Sequence, residues 1–308
     1  MNAPHTHQYS LRSRMPLPLW RIRRILRTVL VASAFVGFWS GGFLLAWIVL
    51  PIIALFSKRP REACQGFVAR SFQFFHGYMR TLRLLDARVQ GTLAPELGGQ
   101  PVVFIANHTT LVDVTAIVAS IPNVYAVAKT NYAKSPLVGR LLHLAGFIDA
   151  GSSVASRAAM VDRCIAQLAS GGHVLVFPEG TRSPEGGLSR FQRGAFEIAC
   201  RANVPIVPLF LRCNPSALRK DQRFWNHPDE CALLSIEIGQ PIYPAAYDGG
   251  SRRMRSALEG QYRERLGVLT HRVASMPDPL NSETVIFTEY NDGRVPRGNP
   301  RTSTESHA

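Results

Sequence analysis

The sequence predicts an α/β fold, a sheet flanked by helices, preceded by an N-terminal helical segment embedded in a membrane. Two observations carry this prediction. Residues 28–56 contain no charged side chain, and from about residue 88 short apolar runs rich in Val, Ile and Phe alternate with segments of helical periodicity. Strands that alternate with helices are typical of a sheet buried on both faces. We therefore expect a membrane-associated region followed by an α/β domain.

The N-terminal apolar segment, residues 28–56, exceeds the roughly 20 residues that a transmembrane helix needs. A straight helix of this length would measure about 43 Å, against a hydrocarbon core of roughly 30 Å. Gly41-Gly42 and Pro51 both weaken a continuous helix. Both flanks are basic, so the distribution of positive charge gives no orientation. Two alternatives stay open: one spanning helix, or two short helices that enter one leaflet with both ends cytosolic.

The composition indicates an anionic partner. The chain of 308 residues has 35 Lys and Arg against 21 Asp and Glu, a formal charge of +14, while only 18% of its residues are charged. Such a balance favours an anionic membrane, a phosphorylated substrate or nucleic acid. Basic residues flank the apolar segment instead of forming one run, which favours the membrane surface and argues against nucleic acid. They are Arg21, Arg23, Arg24, Arg27, Lys58, Arg59 and Arg61.

The sequence divides into four regions. We predict a basic N-terminal segment at 1–27, a membrane-associated helical region at 28–85, the α/β domain at 86–280 and a disordered tail at 281–308. Residues 61–85 have helical spacing, either as a core-facing helix or as an interfacial one. The five cysteines are scattered and form no Cys-x-x-Cys pair, which argues against a disulfide framework and against a zinc site.

Within the α/β domain the elements follow in order. Strands are expected at 101–107, 124–129, 146–150, 173–180, 204–212 and 232–242, and helices at 111–120, 136–145, 154–170, 193–203 and 251–275.

The first strand ends in "NHTTLVD", residues 107–113. Residues five apart on a helix do not share a face, so His108 and Asp113 can meet only if the chain turns between them. Thr109 or Thr110 could then cap a following helix. A carboxylate on one ring nitrogen fixes the tautomer of a histidine and leaves the other nitrogen able to take a proton from a hydroxyl. Taken alone, this pattern leaves open a packed histidine and a capping aspartate.

A second stretch, "FPEGTRS" at 177–183, ends another strand. Arg182 offers planar, bidentate hydrogen bonds of the kind that phosphate accepts, and Glu179 could orient this arginine or a substrate hydroxyl. Taken alone, an ordinary polar turn remains the alternative. The sequence contains neither Gly-x-Ser-x-Gly nor Gly-Lys, which argues against a serine hydrolase and a P-loop enzyme.

In this order the two stretches resemble the paired signatures of the glycerolipid acyltransferase family. Three further segments resemble family elements in order: "AVAKTNYAKSPLVGRL", "RFQRGAFEIA" and "VPIVP". The resemblance covers about residues 85–245. It implies a glycerolipid acyltransferase-type sheet and makes residues 86–280 the acyltransferase domain.

The resemblance also implies a mechanism. His108 deprotonates an acceptor hydroxyl, Asp113 holds the imidazole, and the alkoxide attacks the thioester of acyl-CoA or acyl-carrier protein, with no metal and no further cofactor. Lys129 and Arg182 would bind a phosphate, and Glu179, Gly180 and Thr181 would complete the substrate pocket. The expected acceptor is a lysophospholipid, 1-acylglycerol-3-phosphate, at the cytosolic face of the cytoplasmic membrane.

One position departs from the family pattern. After "GFID" the family commonly has an arginine, whereas this chain has Ala150. Arg157 could take its place. The departure leaves open another lysophospholipid, glycerol-3-phosphate or a specialised lipid as acceptor, and an inactive lipid-binding protein is the alternative outside the enzymes.

Overall fold

The computed structural model describes residues 17–135, 138–220, 222 and 226–268. Helix α1 (Leu17–Leu44) continues through a π-helical turn (Leu45–Val49) into α2 (Leu50–Phe56), and α3 (Pro60–Thr81) packs back against α2. The helix begins inside the predicted basic segment. The predicted tail at 281–308 lies outside the described residues. The helix predicted at 251–275 ends earlier, at Arg265, because residues 266–268 are not helical, and residues 269–275 lie outside the described part.

The N-terminal helix passes Gly41-Gly42 and Pro51 without a break, so residues 28–56 do not form the two short helices that were one alternative. The π-turn explains how the helix accommodates Pro51. The N–H of Leu50 donates to Leu45 O, five residues back. Because proline has no N–H, Pro51 cannot donate the next hydrogen bond of this kind, which would go to the carbonyl of buried Ala46. Arg140 supplies it: its Nε donates to Ala46 O over 3.0 Å.

One helix of the described part, Leu19–Phe56, is long and apolar enough to cross a membrane, and 11% of its most apolar stretch is buried. Its 38 residues would measure about 57 Å, well above the roughly 30 Å of a hydrocarbon core. Large apolar side chains lie exposed along it, including Ile25, Leu26, Trp39, Leu55 and Phe56. A contiguous apolar surface of this kind marks an interaction face.

One side of helix α3 faces the core, as the first of the two predictions for it expects. Its buried residues include Val68, Phe72, His76 and Met79. The helix ends at Thr81 because residues 85–90 form a strand that the sequence did not predict. This strand lies at an edge of the sheet and only its first residue is buried, so it lacks the apolar run of the central strands.

The sheet has seven strands in the described residues, in the order β1-β7-β6-β2-β5-β3-β4. Neighbours pair in parallel except β6 and β7, which are antiparallel. The strands are β1 Leu85–Gln90, β2 Val103–Ala106, β3 Val124–Ala128, β4 Ile148–Asp149, β5 His173–Val176, β6 Ile206–Asn214 and β7 Ala232–Ile238.

The remaining helices are α4 Asp113–Ser120, α5 Thr130–Ala133, α6 Gly139–Leu144, α7 Val154–Ala169, α8 Gly194–Ala202 and α9 Ser251–Arg265, with 3₁₀ turns at Pro95–Leu97 and Pro244–Tyr247. Side chains of α3 and α4 pack on one face of the sheet, and side chains of α7, α8 and α9 pack on the other. The prediction of an α/β sheet flanked by helices and buried on both faces is therefore confirmed.

Two central strands position the site. In the parallel pair β2 and β5, Ile105 lies opposite Val176. His108 and Glu179 each follow three residues later, so both emerge at the same carboxyl edge of the sheet. This edge is where parallel α/β sheets bind ligands.

Candidate active site

His108 and Asp113 form a hydrogen-bonded pair. The chain turns after β2, and His108 Nδ1 lies 2.9 Å from Asp113 Oδ2. The same oxygen accepts the backbone N–H of Thr109 over 2.6 Å and that of Thr110 over 2.8 Å, while the Thr110 hydroxyl donates to Oδ1. The helix begins at Asp113 with Val112 at its N-cap and no capping side chain, so neither threonine caps it. Asp113 instead closes the preceding turn by accepting the N–H groups of Thr109 and Thr110.

The pair leaves one imidazole nitrogen for chemistry. Asp113 is fully buried, whereas 20% of the His108 side chain is exposed. The ring lies 4.4 Å from that of Phe177, centroid to centroid. A carboxylate on Nδ1 fixes the tautomer in which Nδ1 carries the proton and Nε2 is the base. His108 can therefore act as a general base.

Glu179 is a positioning residue in this structure, which differs from the predicted contact with substrate or Arg182. It is buried, and its oxygens accept the N–H of His108 over 3.0 Å, the hydroxyl of Ser183 over 2.6 Å and the N–H of Ser189 over 2.8 Å. Burial raises the pKa of Glu179, and these donors oppose the rise. The carboxylate thus joins the turn after β5 to the backbone of His108.

A cleft of about 1210 Å³ opens at His108. It has an apolar arm on the N-terminal helices, formed by Val31, Ala34, Phe35, Phe38, Trp39, Phe75 and Met79. Its basic arm contains Lys129, Arg157, Arg182, Arg193 and Lys220, with Gly180 and Thr181 nearby in its lining. A single cavity therefore joins an apolar surface, a candidate base and several cations.

The predicted substrate residues fall into this cleft. Lys129, Gly180, Thr181 and Arg182 line it together with His108, and Arg182 also donates to Leu218 O over 3.0 Å. Gly180 has φ +65°, and a Cβ there would lie 2.6 Å from Gln192 Nε2. Only glycine fits this turn without displacing its neighbour.

Ala150 and Arg157 both line the cleft. Strand register places Ala128 opposite Asp149, so Ala150 lies beside Lys129. Gly151 makes the tight turn that leads into α7: its φ is +74°, and a Cβ there would lie 2.6 Å from the backbone of Ser156. The side chains of Lys129 and Arg157 form no hydrogen bond or ion pair with other described residues.

Helix α1 lines the cleft, and its first turns contact residues 227–230. Thr28 Oγ1 and His227 Nε2 share a hydrogen bond of 3.1 Å. Arg23 donates to Asp229 O over 3.2 Å and Arg27 to Glu230 O over 2.6 Å. These contacts hold the first turns of the apolar helix against the catalytic domain. They join segments about 200 residues apart, which no local pattern reveals.

Comparison with known proteins agrees with this geometry. The acyltransferase family model matches residues 86–212, from β1 into β6. This part of the chain therefore resembles an acyltransferase domain. The matched range contains His108, Asp113, Lys129 and Arg182.

Several curated proteins are similar in sequence to this chain. A chloroplast 1-acyl-sn-glycerol-3-phosphate acyltransferase of Brassica napus is 26% identical over 64% of this chain and 56% of its own length. A similarly named Arabidopsis thaliana protein is 30% identical over 36% of this chain and 32% of its own length. The match thus spans less than two thirds of these two relatives. The human 1-acyl-sn-glycerol-3-phosphate acyltransferase alpha is 27% identical over 74% of this chain and 80% of its own.

The fold also matches a solved structure. The crystal structure of the 1-acyl-sn-glycerophosphate acyltransferase of Thermotoga maritima aligns with a TM-score of 0.60 at 19% identity. The alignment covers 81% of this chain and 97% of that one. The likeness therefore extends beyond the acyltransferase domain at the level of fold.

Proposed function

We propose that the protein is a membrane-bound O-acyltransferase. It moves a fatty acyl group from acyl-CoA or acyl-carrier protein to the free hydroxyl of 1-acylglycerol-3-phosphate, giving phosphatidic acid. The observation that carries the proposal is the His108–Asp113 pair opening onto a cleft with an apolar arm and a basic arm. The names of the relatives support the same acceptor.

The chemistry follows from the pair. His108 Nε2 takes the proton of the acceptor hydroxyl as its oxygen attacks the thioester carbonyl. A C–O bond forms, the C–S bond breaks, and the imidazolium returns the proton to the departing thiolate. Asp113 orients the ring and stabilises the imidazolium. The acyl group passes directly between the substrates, without a covalent acyl-enzyme.

The cleft matches both parts of a lysophospholipid. A phosphate monoester carries about −1.5 to −2 charges at neutral pH, and Lys129, Arg157 and Arg182 supply the opposite charge. The apolar arm offers a surface for an acyl chain, with about 25 cal/mol gained per Å² of apolar area removed from water.

The exposed apolar face of α1 would place the protein at the bilayer. Basic residues at both ends of the apolar segment suit an anionic leaflet, where each is worth about 1 kcal/mol. We propose the cytoplasmic membrane, with the catalytic domain on the cytosolic side.

The test is acyl transfer from labelled acyl-CoA or acyl-carrier protein to a panel of acceptors. The panel contains 1-acylglycerol-3-phosphate, other lysophospholipids, glycerol-3-phosphate and a monoacylglycerol. His108→Ala should abolish product formation, whereas His143→Ala, an exposed histidine on α6, should keep wild-type rates. An active His108→Ala protein would exclude the mechanism, and a preference for another acceptor would replace the proposed substrate.

A further inference from the structure

A second cavity, of about 360 Å³, lies outside the cleft. It is lined by Arg190, Arg255, Ser256, Glu259, Gly260 and Arg263, and we call it the arginine pocket. Arg255, Glu259 and Arg263 are spaced four residues apart on α9, so they share one face of the helix. Three guanidinium groups thus surround a single carboxylate, a net positive charge that the acyl-transfer mechanism does not use.

Two of the three arginines form no ion pair with a described carboxylate. Arg263 pairs with Glu259 over 2.9 Å. Among the described residues, the side chain of Arg190 forms no hydrogen bond or ion pair, and the buried Nε of Arg255 has no acceptor. A buried donor without a partner is unfavourable. An anion would supply the missing acceptor, and the planar guanidinium fork suits phosphate oxygens in particular.

The arginine pocket is close to the reacting centre. Ser189 donates its N–H to Glu179 over 2.8 Å, and Phe191 donates its N–H to Glu259 over 3.1 Å. Glu179 in turn holds the N–H of His108 over 3.0 Å. The N–H that bonds Glu179 and the N–H that bonds Glu259 in the pocket are therefore two residues apart, at most about 7 Å.

We propose that the arginine pocket binds the phosphate end of the acyl donor. This inference rests on the proposed function, because it assigns the donor site of the same reaction. Acyl-CoA and acyl-carrier protein share a phosphopantetheine arm, with the thioester at one end and a phosphate at the other. The arm is about as long as four to five extended residues, on the order of 16 Å. A thioester at His108 therefore puts the phosphate within reach of a cationic pocket just outside the acyl cleft.

The test compares donors with the same acyl chain: acyl-CoA, acyl-carrier protein and acyl-pantetheine, which lacks phosphate. The variant is Arg190→Gln/Arg255→Gln. Arg253→Gln is the control, since Arg253 is on the same helix but outside the pocket and pairs with Asp248 over 2.9 Å. We expect the double variant to raise KM about tenfold for a phosphate-bearing donor. KM for acyl-pantetheine should stay unchanged, and Arg253→Gln should match wild type with every donor.

The donor whose KM rises identifies the source of the phosphate, and a rise with either one supports the proposal. An equal rise in KM for acyl-pantetheine would overturn the proposal, because the substitutions would then perturb the protein's fold instead of removing a phosphate contact. So would an unchanged KM for both phosphate-bearing donors.

A binding measurement separates this inference from the proposed function. Free coenzyme A is titrated calorimetrically into His108→Ala protein, with and without Arg190→Gln/Arg255→Gln. Weaker binding in the triple variant supports the pocket even where no acceptor is acylated, which would refute only the proposed reaction. Equal binding, in a protein that uses acyl-CoA, would overturn the inference.

Discussion

Asp113 Oδ2 accepts hydrogen bonds from His108 Nδ1 and from the backbone N–H groups of Thr109 and Thr110. One buried oxygen therefore sets both the turn after β2 and the orientation of the imidazole. The relationship explains how a histidine and an aspartate five residues apart can meet, and it leads to the first prediction.

Asp113→Asn should lower kcat by about 10³–10⁴-fold, with KM for the acceptor changed less than about threefold. The asparagine amide cannot accept all the hydrogen bonds that converge on the carboxylate. The imidazole of His108 is then no longer held in one tautomer and one orientation. Steady-state kinetics on protein whose folding is verified by near-UV circular dichroism checks this. Activity within tenfold of wild type would refute the role given to Asp113.

Lys129→Ala should raise KM for 1-acylglycerol-3-phosphate about tenfold, the loss expected for one charge-assisted contact. KM for a monoacylglycerol, which has no phosphate, should not change. Lys134→Ala is the matched control, because Lys134 is exposed nearby but does not line the cleft. An equal effect on both acceptors would argue against phosphate binding by Lys129.

Arg157→Ala should raise the same KM by a similar factor, because Arg157 is a cation of the basic arm that pairs with no other described residue. Adding Ala150→Arg should restore much of the loss, since residue 150 lies beside Lys129 in the strand register. Arg163→Ala, on the same helix but outside the cleft lining, is the control. A wild-type KM in Arg157→Ala would show that the cations on either side suffice without it.

His76 predicts a pH dependence of stability. Its Nε2 lies 2.9 Å from Thr115 Oγ1, its Nδ1 has no partner among the described residues, and burial lowers its pKa from 6.5 to about 4, against the attraction of Asp113. Between about pH 6.5 and pH 4, the His76 imidazole is protonated in the unfolded chain but stays neutral in the folded protein. This residue's contribution is therefore intact above pH 6.5 and is lost as pH falls towards 4, by about 2 kcal/mol at pH 5.

Chemical denaturation at pH 7 and pH 5 in the same detergent checks this. His76→Gln should lose less free energy of unfolding between the two pH values than wild type. His143→Ala serves as the control, because His143 is exposed. The same loss in His76→Gln as in wild type would assign the acid sensitivity to other groups.

Arg140→Ala should lower the free energy of unfolding by about 1–3 kcal/mol, because it leaves the buried carbonyl of Ala46 without a donor. Pro51→Ala restores a backbone N–H that can satisfy this carbonyl. The cost of Arg140→Ala should therefore be smaller in a Pro51→Ala background, which thermal melting of the four proteins measures. Additive effects would show that the two residues do not serve the same carbonyl.

Much of the domain could be predicted because its signals are local. Central strands such as Val103–Ala106 are short runs of apolar residues. Such runs, and the alternation of apolar and polar residues in half-buried strands, can be recognised in the sequence. The His108–Asp113 pair was predictable because the residues are five apart and only a turn can join them.

The remaining features depend on distant contacts. The edge strand Leu85–Gln90 contains Asp86 and Arg88 and is defined by its partner β7. The continuity of the helix at Pro51 depends on Arg140, which is 94 residues from Ala46. Glu179 was predicted to face substrate, yet its acceptors are filled by Ser183, Ser189 and His108 from three segments of the chain.

Helix α1 lines the cleft with Phe35, Phe38 and Trp39, while many of its other large apolar side chains, such as Ile25, Leu26 and Val36, are exposed. Under the proposed function, one helix therefore borders both the bilayer and the active site. A lysophospholipid can then enter sideways from the leaflet without passing through water. The reaction rate should follow the mole fraction of acceptor within the lipid surface, not its bulk concentration, and diluting that surface with inert detergent should slow the enzyme.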